Sequence, residues 1–157
     1  LWGILIYLLA YTFMNFGAFT LIILLESRGY AGESVSDFNG LAKRNMPAAV
    51  VMLLFLLSLA GIPPTAGFIG KYYLFTAAMN AGYAWLAVIA VLASAVSLFY
   101  YFRIAAAMFF TEGEPSRLNG SYALTAAAVI CAAGTLVIGI APERVLDVLH
   151  RCLPSVY

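Results

Sequence analysis

From Leu1 to Leu25 the chain carries no charged residue, and between Arg44 and Arg103 it carries one, Lys71. Uncharged apolar runs of this length fit few environments. A helix needs about 20 apolar residues to cross the hydrocarbon core of a bilayer, and several of these runs exceed that. Charged residues make up 10% of the chain and hydrophobic ones 64%, against about 25% charged in soluble domains. The sequence therefore predicts an all-α, multi-pass transmembrane helix bundle. A net charge of +1 with no basic patch excludes a nucleic-acid partner.

Four spans are predicted, at about 1–26, 46–79, 84–110 and 121–141, followed by a tail at 142–157. Together they form a single membrane domain. In the first span, Asn15 is the costliest residue to place in lipid and is expected to face a neighbouring helix. The loop after it holds Glu26, Arg28, Gly29, Gly32, Lys43 and Arg44, which read as turn-forming and surface residues. Within it, Ser36–Leu41 predicts a short turn or helix near the headgroups. The loop after the third span holds Glu112, Glu114, Pro115 and Arg117. The tail predicts a short interfacial helix ending before Pro154. The chain begins at Leu1 inside an apolar run, with no basic n-region or cleavage site of a signal peptide. It is expected to be the C-terminal part of a longer protein.

The second span is interrupted. Met46–Ala60 reads as helix, and Gly61-Ile62-Pro63-Pro64-Thr65-Ala66-Gly67 follows. Paired prolines between glycines stop a helix. A second helix is predicted from about Phe68 to Ala78. A straight helix over the whole stretch would measure about 50 Å, against a hydrocarbon core of about 30 Å. Two short spans would need a polar turn that is absent, so a single broken span is expected. Basic residues before it and near Arg103 and Arg117 then fall on one side, which the positive-inside rule makes cytoplasmic.

Lys71 lies just past the break. An ammonium in the membrane interior costs roughly 3 kcal/mol on insertion scales, and a polar cavity or loss of the proton relieves that cost. Broken helices also leave backbone groups that lipid cannot satisfy, and transporters bind ions at such places. Ser58, Thr65, Tyr72, Tyr73 and Asn45 are candidates to border a wet region. Two readings of Lys71 follow: a transport residue, or an anchor at the headgroups. Arg103, beside Phe99, Tyr100, Tyr101 and Phe102, reads as interfacial or as a minor channel residue. Cys131 and Cys152 are expected to be free thiols. With His150 the only histidine, no metal site is expected.

The run Gly61–Phe75, with Tyr11–Phe19, Ser36–Leu41 and Tyr100-Tyr101-Phe102-Arg103, resembles the antiporter-like membrane subunits. Within them it is most similar to the C-terminal third of the subunit N type of NADH:quinone oxidoreductase, respiratory complex I. Lysine at position 71 favours that type over the subunit M type, which tends to carry glutamate. The resemblance implies the C-terminal fragment of an antiporter-like fold of about fourteen helices. It places Lys71 on the broken twelfth helix as a protonatable residue, with Ser58, Thr65, Tyr72 and Arg103 as supporting candidates. Gly61, Pro63, Pro64 and Gly67 form the break.

The implied function is proton translocation coupled to quinone reduction, within an enzyme complex whose redox centres lie elsewhere. No cofactor is expected in this chain, while such a complex uses NADH, FMN, iron–sulfur clusters and quinone. The implied partners are other membrane-arm subunits, lipid, protons and internal water, in a bacterial inner membrane or another energy-coupling membrane such as that of mitochondria. The rivals are a subunit of a multisubunit sodium/proton antiporter, and a structural spacer with no proton path of its own.

Overall fold

A computed structural model describes residues 2–26, 34–113 and 121–152. The first element, α1, is Trp2–Glu26. Ser34 then starts a 3-10 turn, Val35–Phe38. Its Oγ accepts from the Ser36 N–H, while Asp37 Oδ2 accepts from the Ser34 N–H at 3.0 Å. Each side chain thus supplies an acceptor that the helical turn lacks at its start. Gly40, with φ 63°, turns the chain into α2, Leu41–Arg44. The Gly40 N–H donates to the Ala107 carbonyl at 3.1 Å. Arg44 donates to the carbonyls of Asp37 and Asn39. The turn is therefore fastened to the bundle and to itself.

Asn45 caps α3, Met46–Ala60. Its Oδ1 accepts from the Ala48 N–H at 3.1 Å, and Pro47 in the first turn has no N–H to leave unpaired. After the break comes α4, Ala66–Asn80. Gly82, with φ 83°, helps turn the chain into α5, Ala84–Phe110. α6 is Tyr122–Ile140 and α7 is Pro142–Cys152. The helices α1, α5 and α6 contain stretches long and apolar enough to cross a membrane. At 15 residues each, α3 and α4 are too short to do so singly.

α3 and α4 run in one pass along α1, in the opposite direction. Phe55 lies against Gly17, Ser58 bonds Met14, Gly70 meets Tyr7, and Gly3 meets the Tyr73 backbone. Descending positions on α1 thus meet ascending positions on the broken helix. The 33 or so residues fit beside one helix because the two halves overlap sideways at the break. That is why neither half needs to be a full span.

The second half starts at Ala66, two residues earlier than the sequence pattern indicates, and ends at Asn80. Gly67, expected in the break, therefore sits in the first turn of α4. The cause is Thr65, whose backbone is extended (φ −106°, ψ 160°), so the helix begins immediately after it. In the tail, Val145 and Leu146 pack towards Ile6, Ala10, Ala66 and Ile138, while Glu143, Arg144, Asp147 and Arg151 are exposed. The tail helix is thus amphipathic. Arg28, Gly29, Gly32, Glu114, Pro115, Arg117 and Pro154, and the side chains of His150 and Cys152, lie outside the described residues. Cys131 is a free thiol.

The larger core joins α1, α3, α5 and α6 around Met14, Leu25, Phe55 and Met108. Phe55 is completely buried, and its ring occupies the space that any side chain at Gly17 would need. Close helix contact through small residues is how membrane helices gain packing when lipid is as apolar as their own surface. Much of α5 faces outward with Trp85, Val88, Leu92, Val96 and Phe99. Phe55→Ala should therefore cost about 3–5 kcal/mol through the cavity it leaves. That cost should be visible as a lower thermal unfolding midpoint of the intact protein in detergent.

Candidate functional site

An α-helix leaves its last four carbonyls and first four N–H groups without partners inside the helix. At the break, an end of each kind lies inside the bundle, where lipid and apolar side chains offer nothing. The sequence resolves this locally. Gly61 takes a left-handed conformation (φ 85°, ψ 40°). Its N–H donates to the Ser58 carbonyl and the Ile62 N–H donates to the Leu57 carbonyl, both at 3.0 Å. This pair of bonds is the Schellman ending, which favours glycine at the left-handed position.

Two carbonyls of α3 then remain, on Leu59 and Ala60. Lys71 reaches back from α4 to both. Its Nζ donates to the Leu59 carbonyl at 2.9 Å and to the Ala60 carbonyl at 3.3 Å. A cation at a helix C-terminus also lies at the negative end of the helix dipole. The lysine stem runs past Gly61, where an added Cβ would lie 3.1 Å from Lys71 Cδ. Glycine at 61 therefore serves both the turn and the passage of the lysine.

The opposite end is served in return. Ser58, fully buried, accepts at its Oγ from the Gly67 N–H at 3.0 Å. Its hydroxyl lies 3.4 Å from Met14 Sδ and donates there. Ser58 on α3 thus caps α4, and Lys71 on α4 caps α3. Gly67 is needed because its Cα passes directly against the Ser58 backbone. Thr65 is buried, with its Oγ1 donating to the Ile62 carbonyl at 2.7 Å. It stiffens the turn and does not reach Lys71 in that role. Pro63 and Pro64, joined by a cis peptide bond, form the connecting loop.

Lys71 is half-buried and opens onto a cleft of about 200 Å³ between α1, α4 and α5. A cleft of that size accommodates several water molecules. Its polar lining comes from Tyr7, Tyr11, Ser94, Ser97 and Tyr101. None of these was among the candidates drawn from the sequence. A signal was present: Tyr7, Tyr11 and Asn15 recur every fourth residue, and Ser94, Ser97 and Tyr101 share one helical face. Tyr72, by contrast, is exposed and stacks with Phe68, so it stands outside the cleft. Tyr73 packs near Ile6 and Ala10. Asn45 lies at the far end of α3, and Arg103 is exposed on α5 outside the cleft. Among the described residues no group of His, Cys, Asp and Glu could hold a metal ion.

A bundle with a broken, cross-capped helix and a lysine at the break defines a membrane protein of the antiporter-like class. Residues 1–97 match the family described as NADH:quinone oxidoreductase/Mrp antiporter, transmembrane region, and the chain belongs to that family. It is 48% identical over 153 residues to NADH-quinone oxidoreductase subunit N of Trichlorobacter lovleyi, covering 96% of this chain and 31% of that protein. It is 46% identical to subunit N 2 of Roseiflexus castenholzii, over 95% of this chain and 30% of that one. The chain thus spans about a third of the length of these relatives.

Solved structures of two assemblies illustrate the shared fold. One is respiratory complex I from Thermus thermophilus with bound aureothin, with a TM-score of 0.75 at 30% identity over 90% of this chain and 33% of the matched one. The other is the Mrp complex from Dietzia sp. DQ12-45-1b, with a TM-score of 0.84 at 25% identity over 94% and 36%.

Ser58→Ala should leave the buried Gly67 N–H without its acceptor, at a cost of about 1–3 kcal/mol. Thermal unfolding of the intact protein should register that loss. A midpoint equal to the parent's would show that the serine does not cap α4.

Proposed function

We propose that this chain carries one proton-handling station of a membrane-arm subunit in an NADH:quinone oxidoreductase, with Lys71 as the group that gains and loses the proton. The observation that carries this reading is the position of its ammonium. It is held by two helix-end carbonyls on one side and opens to a cleft on the other. A group meant only to close the helix end would need no such opening.

The chemistry follows from the competition between those two sides. The Leu59 and Ala60 carbonyls stabilise the charged amine. A cation brought nearby opposes it. At an effective dielectric of about 20, a unit charge arriving about 8 Å away shifts the balance by about 2 kcal/mol. That is more than a tenfold change in protonation. Charge movements relayed from quinone reduction elsewhere in the assembly would therefore load and unload Lys71 without moving a helix. The flexible lysine stem lets Nζ swing between the carbonyls and the cleft. Ser58 and the break residues Gly61, Pro63, Pro64 and Gly67 act by fixing where Lys71 stands.

The subunit N relatives, at 46–48% identity, support this reading over a sodium/proton antiporter. The likeness to the Mrp complex favours the antiporter as the second reading. The two differ in whether the protein co-purifies with redox subunits or with a set of antiporter subunits. In the first case its partners are the other membrane-arm subunits, in a bacterial inner membrane. The end of the bundle bearing Lys43 and Arg44 then faces the cytoplasm.

Lys71→Met keeps much of the side-chain volume and removes the charge. In membranes that assemble the complex normally, it should abolish or sharply reduce quinone-dependent proton pumping and slow NADH oxidation. Normal pumping with normal turnover would reduce the chain to a spacer.

A further inference from the structure

Thr12, Thr20, Ser97, Thr125 and Thr135 each donate a hydroxyl to the carbonyl four residues earlier in the same helix. That local bond is a common resting place for a hydroxyl inside a helix. Ser58 also lies inside a helix, α3, and a serine hydroxyl has one proton to give. It gives that proton to Met14 Sδ on α1, at 3.4 Å. Its oxygen meanwhile accepts from the Gly67 N–H on α4, at 3.0 Å.

Acceptor strength alone would not produce this arrangement, because a thioether accepts more weakly than a carbonyl. The Leu54 carbonyl, four residues back, would draw the hydroxyl along α3 and away from Gly67. Ser58 is fully buried, so its hydroxyl must find its partners within the protein. Two contacts, one to the sulfur and one from Gly67, thus hold the oxygen against the pull of its own helix. Without the sulfur, the balance tips towards Leu54 and α4 loses its cap.

The spacing of α1 puts the sulfur at the right height. Ala10, Met14 and Gly17 fall on one face of that helix. Gly17 meets Phe55 before the break and Ala10 meets Gly70 after it, so Met14 stands between them, level with the break. What is fixed at Gly67 is passed on to Lys71, because residues four apart lie one above the other on a helix. A first turn of α4 that slips or frays carries Nζ off the Leu59 and Ala60 carbonyls.

We propose that Met14 is a positioning residue for Lys71, acting through Ser58. Its sulfur keeps the serine oxygen on the first turn of α4 and so sets where the lysine leaves that helix. That the lysine so placed handles protons rests on the reading above; the placement itself does not.

Met14→Leu, Ser58→Ala and the double variant test this in the assembled complex. Leucine keeps most of the volume of methionine and accepts no hydrogen bond. Amide hydrogen exchange of the segment 62–70 reads the cap on α4, and protons pumped per NADH, followed against pH, read the lysine. Each single variant should speed exchange of that segment about fivefold or more, the factor carried by one neutral hydrogen bond. Each should lower pumping per NADH and move its pH midpoint in the same direction. The double variant should go no further than Ser58→Ala alone, because effects routed through one shared atom do not add. Met108→Leu, in the same core but at the far end of α5, should leave every reading at the parent level.

Parent-rate exchange in Met14→Leu would overturn the proposal. So would additive effects in the double variant, or equal changes in Met108→Leu, which would mean general loosening of the core. Faster exchange with unchanged pumping, in a complex that Lys71→Met disables, would overturn it too, since the lysine would then stand without help from the sulfur. If Lys71→Met pumps normally, the proton reading falls, and exchange of the segment 62–70 alone decides for or against Met14.

Discussion

A helix cannot be broken inside a membrane without giving its loose ends new partners. That constraint organises everything around Lys71. The Schellman turn at Gly61 uses up two of the four carbonyls at the end of α3. The other two take the lysine ammonium, and the start of α4 takes the serine hydroxyl of α3. The exchange ties the halves together, so the charged residue is part of the fold as well as a site on it. On the proposed function, a proton leaving Lys71 would weaken its hold on the two carbonyls of α3.

Most of the architecture was legible in the sequence because charge is so scarce in it. Uncharged runs mark the helices, and Gly-Ile-Pro-Pro marks the break by removing donors where a helix needs them. Lys71 stood out by isolation alone. The sequence could not show how the halves meet. Cross-capping joins Ser58 to Gly67 and Lys71 to Leu59 across the break, and a periodicity reading follows one helix at a time. For the same reason Gly67 read as part of the break, when its lack of a side chain is what lets α4 begin against the Ser58 backbone.

The cleft was missed for a related cause. Tyr7, Tyr11, Ser94, Ser97 and Tyr101 are unremarkable singly, since tyrosine and serine occur in many membrane helices. They become a lining because α1 and α5 rest on α3 with their polar faces turned to one gap. Tyr72, a candidate to border a wet region, follows Lys71 directly, yet neighbours in a helix point about 100° apart, and it stands exposed elsewhere. Arg103 was a supporting candidate and stands exposed outside the cleft, while Tyr101, two residues before it, lines the cleft.

Proton transfer requires a lysine that can release its proton, which a mere helix-closing cation need not do. Lys71→Arg separates these roles, because a guanidinium can still donate to the Leu59 and Ala60 carbonyls but does not deprotonate in proteins. The decisive measurement is proton pumping per NADH oxidised in assembled complexes carrying that substitution. The account predicts normal assembly with pumping lost or sharply reduced. Pumping at the parent level with arginine at position 71 would show that only the fixed charge matters, and would contradict a proton-carrying role for Lys71.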